Sequence, residues 1–182
     1  MRTEDYKQLI NDRIEYFDKD KFYLNNKNGL VKSYTVNNGI IIQEVAGEDG
    51  GWFVSCTTRS GSCFSVYKEY SHQAIIKKKH VVLRNGGAIV GIKYEFDING
   101  RLIKKTDMDK HYVVTPQDII KFCEEKGIDI LSNNTRIDRN YNEDSIGKYV
   151  IYHSGEYDGK FGSVIITEIN GTTGDVEKVI CK

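Results

Sequence analysis

The 182-residue sequence has very little proline, no net charge and no long apolar run. A single proline beside 17 glycines is typical of strands joined by tight turns, and it excludes a proline-rich or collagen-like chain. No segment approaches the roughly 18–20 consecutive apolar residues that a membrane helix needs. The 26 basic and 26 acidic residues cancel, so the whole molecule has no strong field to draw it to nucleic acid or to a membrane.

Cysteine is scarce as well, with four widely spaced residues and no CxxC pair. Cys56 and Cys63 could face each other across a hairpin, but we expect buried thiols in a reducing compartment. The first residues are charged and contain no apolar stretch typical of a signal peptide. From this we expect a cytoplasmic protein.

Motifs for catalysis and for cofactor binding are missing too. The four histidines form no HxxxH or HExxH pair, and the sequence contains no GxSxG, GxGxxG or GxxxxGK[ST] segment. Cys123 is predicted on the apolar face of a helix, which suits a packed thiol better than a nucleophile. Cys56 has no base near it in the sequence. We therefore predict a non-enzymatic protein with no metal and no cofactor.

The clearest structural signal is a β-hairpin in the middle of the chain. Every second residue before the turn is apolar, which is the period of a strand with one apolar face. Asn99 and Gly100 are typical of either a two-residue type I′ turn or a three-residue loop with Gly100 in a bulge position. We favour the loop, which pairs Phe96 with Leu102, over the two-residue turn, which would pair Phe96 with Ile103.

A helix signal follows the hairpin. Thr115 is a suitable cap, Pro116 fits the first helical position, and Asp118 lies near the positive end of the helix dipole. Apolar residues then recur at helical spacing until Gly127, a typical stop residue. The pattern predicts a helix from Pro116 to Lys126 that buries one face on a sheet.

The remaining segments are predicted from periodicity. Residues 3–18 have apolar side chains at helical spacing and are predicted to form an amphipathic helix. Residues 132–144 are polar and are predicted to form a loop. Short apolar runs between turn residues predict antiparallel strands. The predicted strands outside the hairpin are 30–36, 40–45, 52–58, 62–70, 73–83, 149–153, 163–169 and 175–181.

Together these elements predict an α+β fold. It consists of an antiparallel β-meander with an N-terminal helix and one central helix, followed by a three-stranded C-terminal meander. We divide the chain into residues 1–110 and 111–182, either as two regions or as one continuous domain. The sequence leaves open whether the two β regions form one sheet.

A basic run, Lys77-Lys78-Lys79-His80, interrupts one of the apolar strands. In a regular strand Lys77 and Lys79 point one way while Lys78 and His80 point the other, so the run does not form one phosphate-binding face. Lysines within a strand commonly protect a sheet edge from pairing with another chain. We therefore predict that this strand lies at an edge.

Two parts of the sequence resemble known protein groups. Residues 94–104, YEFDINGRLIK, resemble the aromatic-x-aromatic-Asp-x-Asn-Gly-x-Leu unit of MORN-like β-hairpin repeat proteins, and the continuation through residues 115–122 resembles bacterial proteins found near interbacterial toxins. The tail at residues 170–176, NGTTGDV, is similar to the end of PepSY-like modules, with Asn170 in place of the usual Asp. These similarities cover about half of the chain.

The resemblance implies an immunity protein, which would neutralise a cognate interbacterial effector toxin by direct binding and would need neither nucleic acid nor a membrane as partner. If the toxin has a basic active site, acidic loops would be the natural contact and would speed association. The candidate partner-binding residues are Glu143, Asp144, Glu156, Tyr157 and Asp158.

Two alternatives remain open. A PepSY-like peptide-binding or scaffold module would use an exposed sheet edge to bind extended segments. An enzyme or toxin domain would need convergent polar groups in a pocket, and a histidine beside Cys56 in a cleft would favour it.

Overall fold

The computed structural model describes residues 5–24, 30–36, 39–57, 61–83, 86–140, 147–157 and 159–181. Within these ranges seven strands form one antiparallel meander and four strands form a second sheet. The predicted α+β class with an antiparallel meander is confirmed, and the two β regions belong to separate sheets. The strands are β1 (Val31–Val36), β2 (Ile40–Ala46), β3 (Trp52–Thr57), β4 (Phe64–Tyr70), β5 (Ile76–Leu83), β6 (Ile89–Phe96), β7 (Leu102–Asp107), β8 (Arg136–Asn140), β9 (Lys148–Tyr157), β10 (Lys160–Asn170) and β11 (Val176–Cys181).

The helices are short, and the chain divides into two compact units. Helix α1 spans Lys19–Leu24 and α2 spans Pro116–Glu125. The meander unit, as we call it, comprises Glu4–Val81 and Gly91–Asp107, and therefore holds β1–β4, β7 and most of β5 and β6. The C-terminal unit comprises Val82–Val90 and Met108–Lys182, and holds α2 and the four-stranded sheet.

The hairpin between β6 and β7 has the register that the sequence predicts. Phe96 lies opposite Leu102, and the register shifts beside Phe96, as a bulged loop requires. The backbone N–H of Asp97 donates to the carbonyl of Arg101 over 2.9 Å and closes the loop. Gly100 has a φ of +78°, in the left-handed region where glycine is favoured.

Helix α2 also begins and ends within one residue of its prediction. The Thr115 hydroxyl accepts from the N–H of Asp118, and the Asp118 carboxylate accepts from the N–H of Thr115, which completes a capping box. Ile119 and Cys123 are buried on one face. Gly127 ends the helix with a φ of +68°.

The predicted helix at residues 3–18 is wrong over its described part. Only Tyr6–Gln8 form a helical turn, of the 3₁₀ type, and α1 begins after the predicted helix should have ended. The apolar spacing was real, but short helices draw most of their stability from tertiary packing rather than from propensity. Here the tertiary contacts favour a different conformation.

The segment from Glu15 to Phe17 pairs with the chain at the start of β5 instead. The N–H of Ile76 donates to the carbonyl of Glu15 over 3.0 Å, and the N–H of Phe17 donates to the carbonyl of Ala74 over 2.8 Å. This pairing sets Phe17 against the core of the meander unit. We call residues 15–17 the strap.

The core of the meander unit is aromatic. The ring centroid of Phe17 lies 5.1 Å from that of Trp52, 5.8 Å from that of Phe22 and 5.5 Å from that of Tyr70. Phe96 is buried in the same cluster. Aromatic pairs contribute about 0.5–1.5 kcal/mol beyond their area burial, so the contacts of Phe17 stabilise the strap in its paired conformation.

Strand β5 is an interior strand, so the edge-strand prediction is wrong. It lies between β4 and β6. The expected alternation fails as well, because Lys77 and Lys78 both reach Glu69, over 2.6 and 3.1 Å. Lys79 alone turns inward, is 0% exposed, and binds Glu15 over 2.7 Å. An interior strand tolerates this lysine because the strap supplies a carboxylate.

The C-terminal sheet has four strands in the order β11-β10-β9-β8 rather than the predicted three. The additional strand, β8, lies within residues 132–144, where a loop was predicted. Four of its five residues are polar or charged, and Ile137 is its fully buried side chain. The sequence pattern was too polar to indicate a strand. Strand β10 lies between β9 and β11, and an interior position suits a strand with apolar residues on both faces.

Arg139 of β8 joins several polar groups in the interior of the C-terminal unit. Its side chain is 5% exposed and donates to Asp109 over 2.7 Å. It also donates to the Tyr149 hydroxyl and lies 4.2 Å above the Tyr112 ring. Burial raises the pKa of Tyr149 to about 12, so its hydroxyl remains protonated at neutral pH and donates to the carbonyl of Val114 over 2.9 Å.

We expect Arg139→Met to lower the free energy of unfolding by about 3–5 kcal/mol, because Asp109 would keep a largely buried charge without its guanidinium partner. Arg136→Met on the same strand is the matched control, since the Arg136 side chain is 63% exposed in its pair with Asp138. That change should cost less than about 1 kcal/mol. Urea unfolding of both variants checks this, and equal losses would contradict the role assigned to Arg139.

Candidate binding surface

The register of the meander defines two faces of its sheet. Tyr34, Ile42, Cys56 and Val66 lie opposite one another across β1–β4 and share one face. The aromatic core packs on this side, through Trp52 and neighbouring residues. We call it the inner face. The alternate residues of each strand lie on the outer face.

The inner face contains a cleft of about 240 Å³ in which the polar groups are already paired. The Tyr34 hydroxyl donates to Glu44 over 3.0 Å. Next to the cleft, Glu15 of the strap accepts from Lys68 over 2.5 Å and from Lys79 over 2.7 Å. The cleft is lined by Tyr16, Phe17, Asp18, Tyr34, Ile42, Glu44, Val54, Cys56, Val66, Lys68 and Tyr70.

The protonation of these groups follows from burial and pairing. Burial raises the pKa of Tyr34 to about 12, and it also raises the pKa of Tyr70. Burial favours the neutral form of Glu15, but hydrogen bonds from Lys68 and Lys79 outweigh it and lower the pKa of this carboxyl. At neutral pH the cleft therefore holds neutral tyrosines beside a paired carboxylate.

Cys56 lines the cleft without the partner that a catalytic thiol needs. Burial raises the pKa of its thiol, which lowers the fraction of thiolate. Its sulfur donates to the backbone carbonyl of Thr57 over 3.4 Å. No histidine is among the described residues that line the cleft. The condition set by the sequence analysis for an enzyme, a histidine beside Cys56, is not met there.

The C-terminal unit has a second groove, of about 330 Å³, between α2 and the turn that follows β10. Its walls are mainly apolar, from Val113 and Ile119 to Ile169. Asp118, the charged residue of the lining, is held by the capping box of α2. The groove therefore offers little convergent polar chemistry.

The outer face of β1–β4 exposes large apolar side chains. Val31, Ile41, Phe53 and Tyr67 are each between 40 and 50% exposed. The register places Val31 opposite Val45 and Val45 opposite Phe53, which makes a continuous apolar row across three strands. We call these five residues the apolar patch. Val31, Val45 and Phe53 are contiguous, and Gln43 separates Ile41 from them. Contiguous exposed apolar groups mark interaction sites, whereas scattered ones do not.

The apolar patch continues into a group of lysines on β5–β7. The ring of Tyr67 stacks on His80, with centroids 5.7 Å apart and planes 7° from parallel. Beyond this pair, Glu69 and Glu95 each bind two lysines. The lysine cluster consists of Lys77, Lys78, Lys93 and Lys104. Four ammonium groups face the carboxylates of Glu69 and Glu95, with Asp49 also close enough to act on Lys77, so the cluster keeps a net positive charge.

His80 stays neutral between these charges. Burial lowers the pKa of its imidazole, and the nearby ammonium groups of Lys93 and Lys78 lower it further. The outer face therefore combines an apolar half on β1–β4 with a positively charged half on β5–β7, joined by a neutral aromatic stack. This combination suits a surface that is apolar at its centre and acidic on one side.

Of the predicted partner-binding residues, Glu156 and Tyr157 belong to β9 and not to the meander. Glu143, Asp144 and Asp158 are outside the described residues. Glu156 is exposed near the end of β9, and Tyr157 is the last residue of that strand. The acidic interface stays a prediction.

The residues of the apolar patch were not predicted as a binding surface. A usable signal was nevertheless present, because Ile40-Ile41-Ile42 and Trp52-Phe53-Val54 put apolar groups on both faces of β2 and β3. In an antiparallel sheet with a single packed face, apolar residues on the second face predict an uncovered surface.

Metal sites, membrane-spanning helices and similar proteins offer no further indication of function. Within the described ranges, no cluster of three or more His, Cys, Asp or Glu side chains is placed to hold a metal ion. The described helices are all too short or too polar to cross a membrane. No family model, curated protein or solved structure matches this chain. The MORN-like and PepSY-like resemblances therefore stay predictions.

The pairing of Glu15 predicts how stability depends on pH. Because its pKa is lowered in the folded protein, Glu15 contributes stability that is present above its unfolded pKa, near the ordinary value of 4.5, and is lost as the pH falls through its folded pKa. Glu15→Gln should therefore be less stable than the wild type at about pH 6, and the difference should shrink towards about pH 3.

Urea unfolding at a series of pH values checks this expectation. Glu48→Gln, a change at an exposed carboxylate in the turn between β2 and β3, is the matched control. Its difference from the wild type should stay small throughout. A constant difference for Glu15→Gln over the whole pH range would show that the ionised carboxylate is not what stabilises the strap.

Proposed function

We propose that this chain is a non-enzymatic binding protein, namely an immunity protein that neutralises a cognate interbacterial effector toxin by direct binding. The observation that carries the binding role is the apolar patch, in which Phe53 is 46% exposed on β3 in register with Val45 and Val31. The resemblance of residues 94–122 to bacterial proteins found near toxins supplies the class of partner.

The composition of the outer face supports this proposal. Stable protein interfaces place apolar and aromatic groups at the centre and charged groups at the rim. On this face Tyr67 of the apolar patch stacks on His80, and the lysine cluster borders this stack. A partner with an apolar centre and carboxylates to one side would match both halves.

The size of the outer face is also adequate. Seven strands of six to eight residues present a face roughly 29 Å wide and 20–26 Å long, given the usual spacing of strands and residues. A standard interface buries about 800 Å² on each partner. The planar area of this face, roughly 580–750 Å², comes close to that size, so a partner that covers most of the face would form an interface at the lower end of the standard range.

The state of the inner cleft supports binding rather than catalysis. Glu15 is held by two lysines, Tyr34 donates to Glu44, and the pKa of Cys56 is raised. Polar groups that are paired in this way stabilise the fold, and few polar groups of the cleft remain available to bind a substrate.

The experiment is a calorimetric titration of this protein against the product of the gene beside its own, with the toxicity of that product scored on co-expression. We expect nanomolar binding, equivalent to about −12 kcal/mol, and loss of toxicity. Absence of binding at micromolar concentrations, together with no protection, would contradict the proposal.

Within the same titration, Phe53→Ser should weaken binding by at least about 30-fold, because it removes an aromatic anchor from the centre of the apolar patch. Val176→Ser on β11 is the matched control, since Val176 is also 46% exposed. It should leave the affinity within about twofold. Glu156→Lys tests the predicted acidic contact, and a large loss with that variant but not with Phe53→Ser would move the interface to the end of β9.

A further inference from the structure

The described strands leave four sheet edges, and one of them differs from the rest. The edges are β1 and β7 in the larger sheet and β8 and β11 in the smaller sheet. Proteins usually protect such edges with charged side chains, because an edge presents backbone groups that can pair with another chain. Three edges carry at least two charged residues each, namely Lys104, Lys105 and Asp107 on β7, Arg136, Asp138 and Arg139 on β8, and Glu177 and Lys178 on β11.

Strand β1 carries a single charge, and that charge does not guard the edge. Lys32 lies opposite Glu44 on the inner face, with its ammonium 3.9 Å from the carboxylate. The same ammonium donates to the backbone carbonyl of Lys21 over 3.0 Å. The Lys32 side chain is only 14% exposed. Its charge is therefore held back from the open side of the strand.

The register shows which backbone groups of β1 reach the open edge. The N–H of Ala46 donates to the carbonyl of Leu30 over 2.8 Å, and these residues extend the register by one pair. In an antiparallel ladder, hydrogen-bonded and non-hydrogen-bonded pairs alternate. The even-numbered residues of β1 therefore bond to β2, and Ser33 and Thr35 direct their N–H and C=O groups to the open edge.

We propose that β1 receives an extended segment of the partner protein as an eighth strand. This inference rests on the proposed function, because the segment belongs to the toxin that this protein neutralises. An added strand would lie about 4.8 Å from β1. Its outward side chains would lie beside those of Ser33 and Thr35, and Thr35 is in register with Ile41 of the apolar patch, so the same partner would cover the edge and the patch.

The open edge of β1 adjoins the apolar patch, which is the surface proposed to bind the toxin. We therefore assign the added strand to the toxin rather than to a second copy of this chain. Backbone pairing at Ser33 and Thr35 supplies affinity without sequence preference, and the apolar patch beside them supplies a preference for apolar side chains. We expect the segment to be at least four residues long, to carry apolar residues at alternate positions, and to contain no proline where its N–H faces β1.

The test is amide hydrogen exchange, resolved by residue, on the full chain with and without the neighbouring gene's product. The amides of Ser33 and Thr35 should exchange at least about 100-fold more slowly in the complex, because each gains a hydrogen bond that closes the edge. Binding of the product with no change at these two amides would overturn the inference and leave the proposed function intact. No binding at all would overturn both.

Two variants at one position complete the test. Ser33→Pro removes an N–H that faces the open edge and leaves the ladder to β2 intact, as edge strands tolerate. It should weaken binding of the product at least about tenfold, whereas Ser33→Ala, which keeps the N–H, should stay within about twofold. If Ser33→Pro does not fold, the exchange measurement on the unchanged chain decides.

Light scattering on this chain without the product measures its molar mass and tests whether a second copy occupies β1. A monomer is expected. A dimer that is lost in Ser33→Pro would show that a second copy of this chain occupies β1, and it would overturn the assignment to the toxin.

Discussion

The ammonium group of Lys79 lies inside the meander unit with no exposed surface, and the arrangement around it depends on keeping this charge paired. Isolated buried charges cost far more than a marginally stable fold can supply. Glu15 meets the requirement and binds Lys68 with its other oxygen. The carboxylate therefore fixes the strap against β4 and β5. With the strap in place, Phe17 completes the aromatic core, which packs on the inner face of the sheet, on the side opposite the apolar patch.

Local signals in the sequence predicted the elements whose geometry is decided locally. The turn at Asn99 and Gly100 sets the register of its hairpin, because glycine accepts the positive φ that the bulged loop requires. Thr115 and Asp118 fix the start of α2 through their own hydrogen bonds. Strand positions in the meander were predicted to within a few residues for the same reason, since turn residues separate each strand from the next.

Elements whose conformation depends on contacts between residues far apart in the sequence could not be predicted from local signals. Residues 3–18 have a helical pattern, yet the conformation of the strap follows from its pairing with Ala74 and Ile76, about sixty residues later in the chain. The lysine run was assigned to an edge because a charge inside a sheet requires a partner, and nothing in the sequence identified Glu15 as that partner. Strand β8 was missed because its neighbour β9 and one buried isoleucine stabilise it, although its other residues are polar or charged. The apolar patch needed the register as well as the sequence, because alternation alone does not tell which face the core covers.

The strap also has a consequence for the order in which the chain is assembled. Each strand from β1 to β4 pairs with the next strand in the sequence, so this part of the meander grows by local contacts that close short loops. The strap is different, because Glu15 is synthesised early and its partners at Lys68, Ala74 and Lys79 are synthesised much later. During synthesis the Glu15 carboxylate therefore stays in water until β5 has left the ribosome and its lysine partners are available. A segment that is synthesised before the meander therefore reaches its final position after β5 has formed.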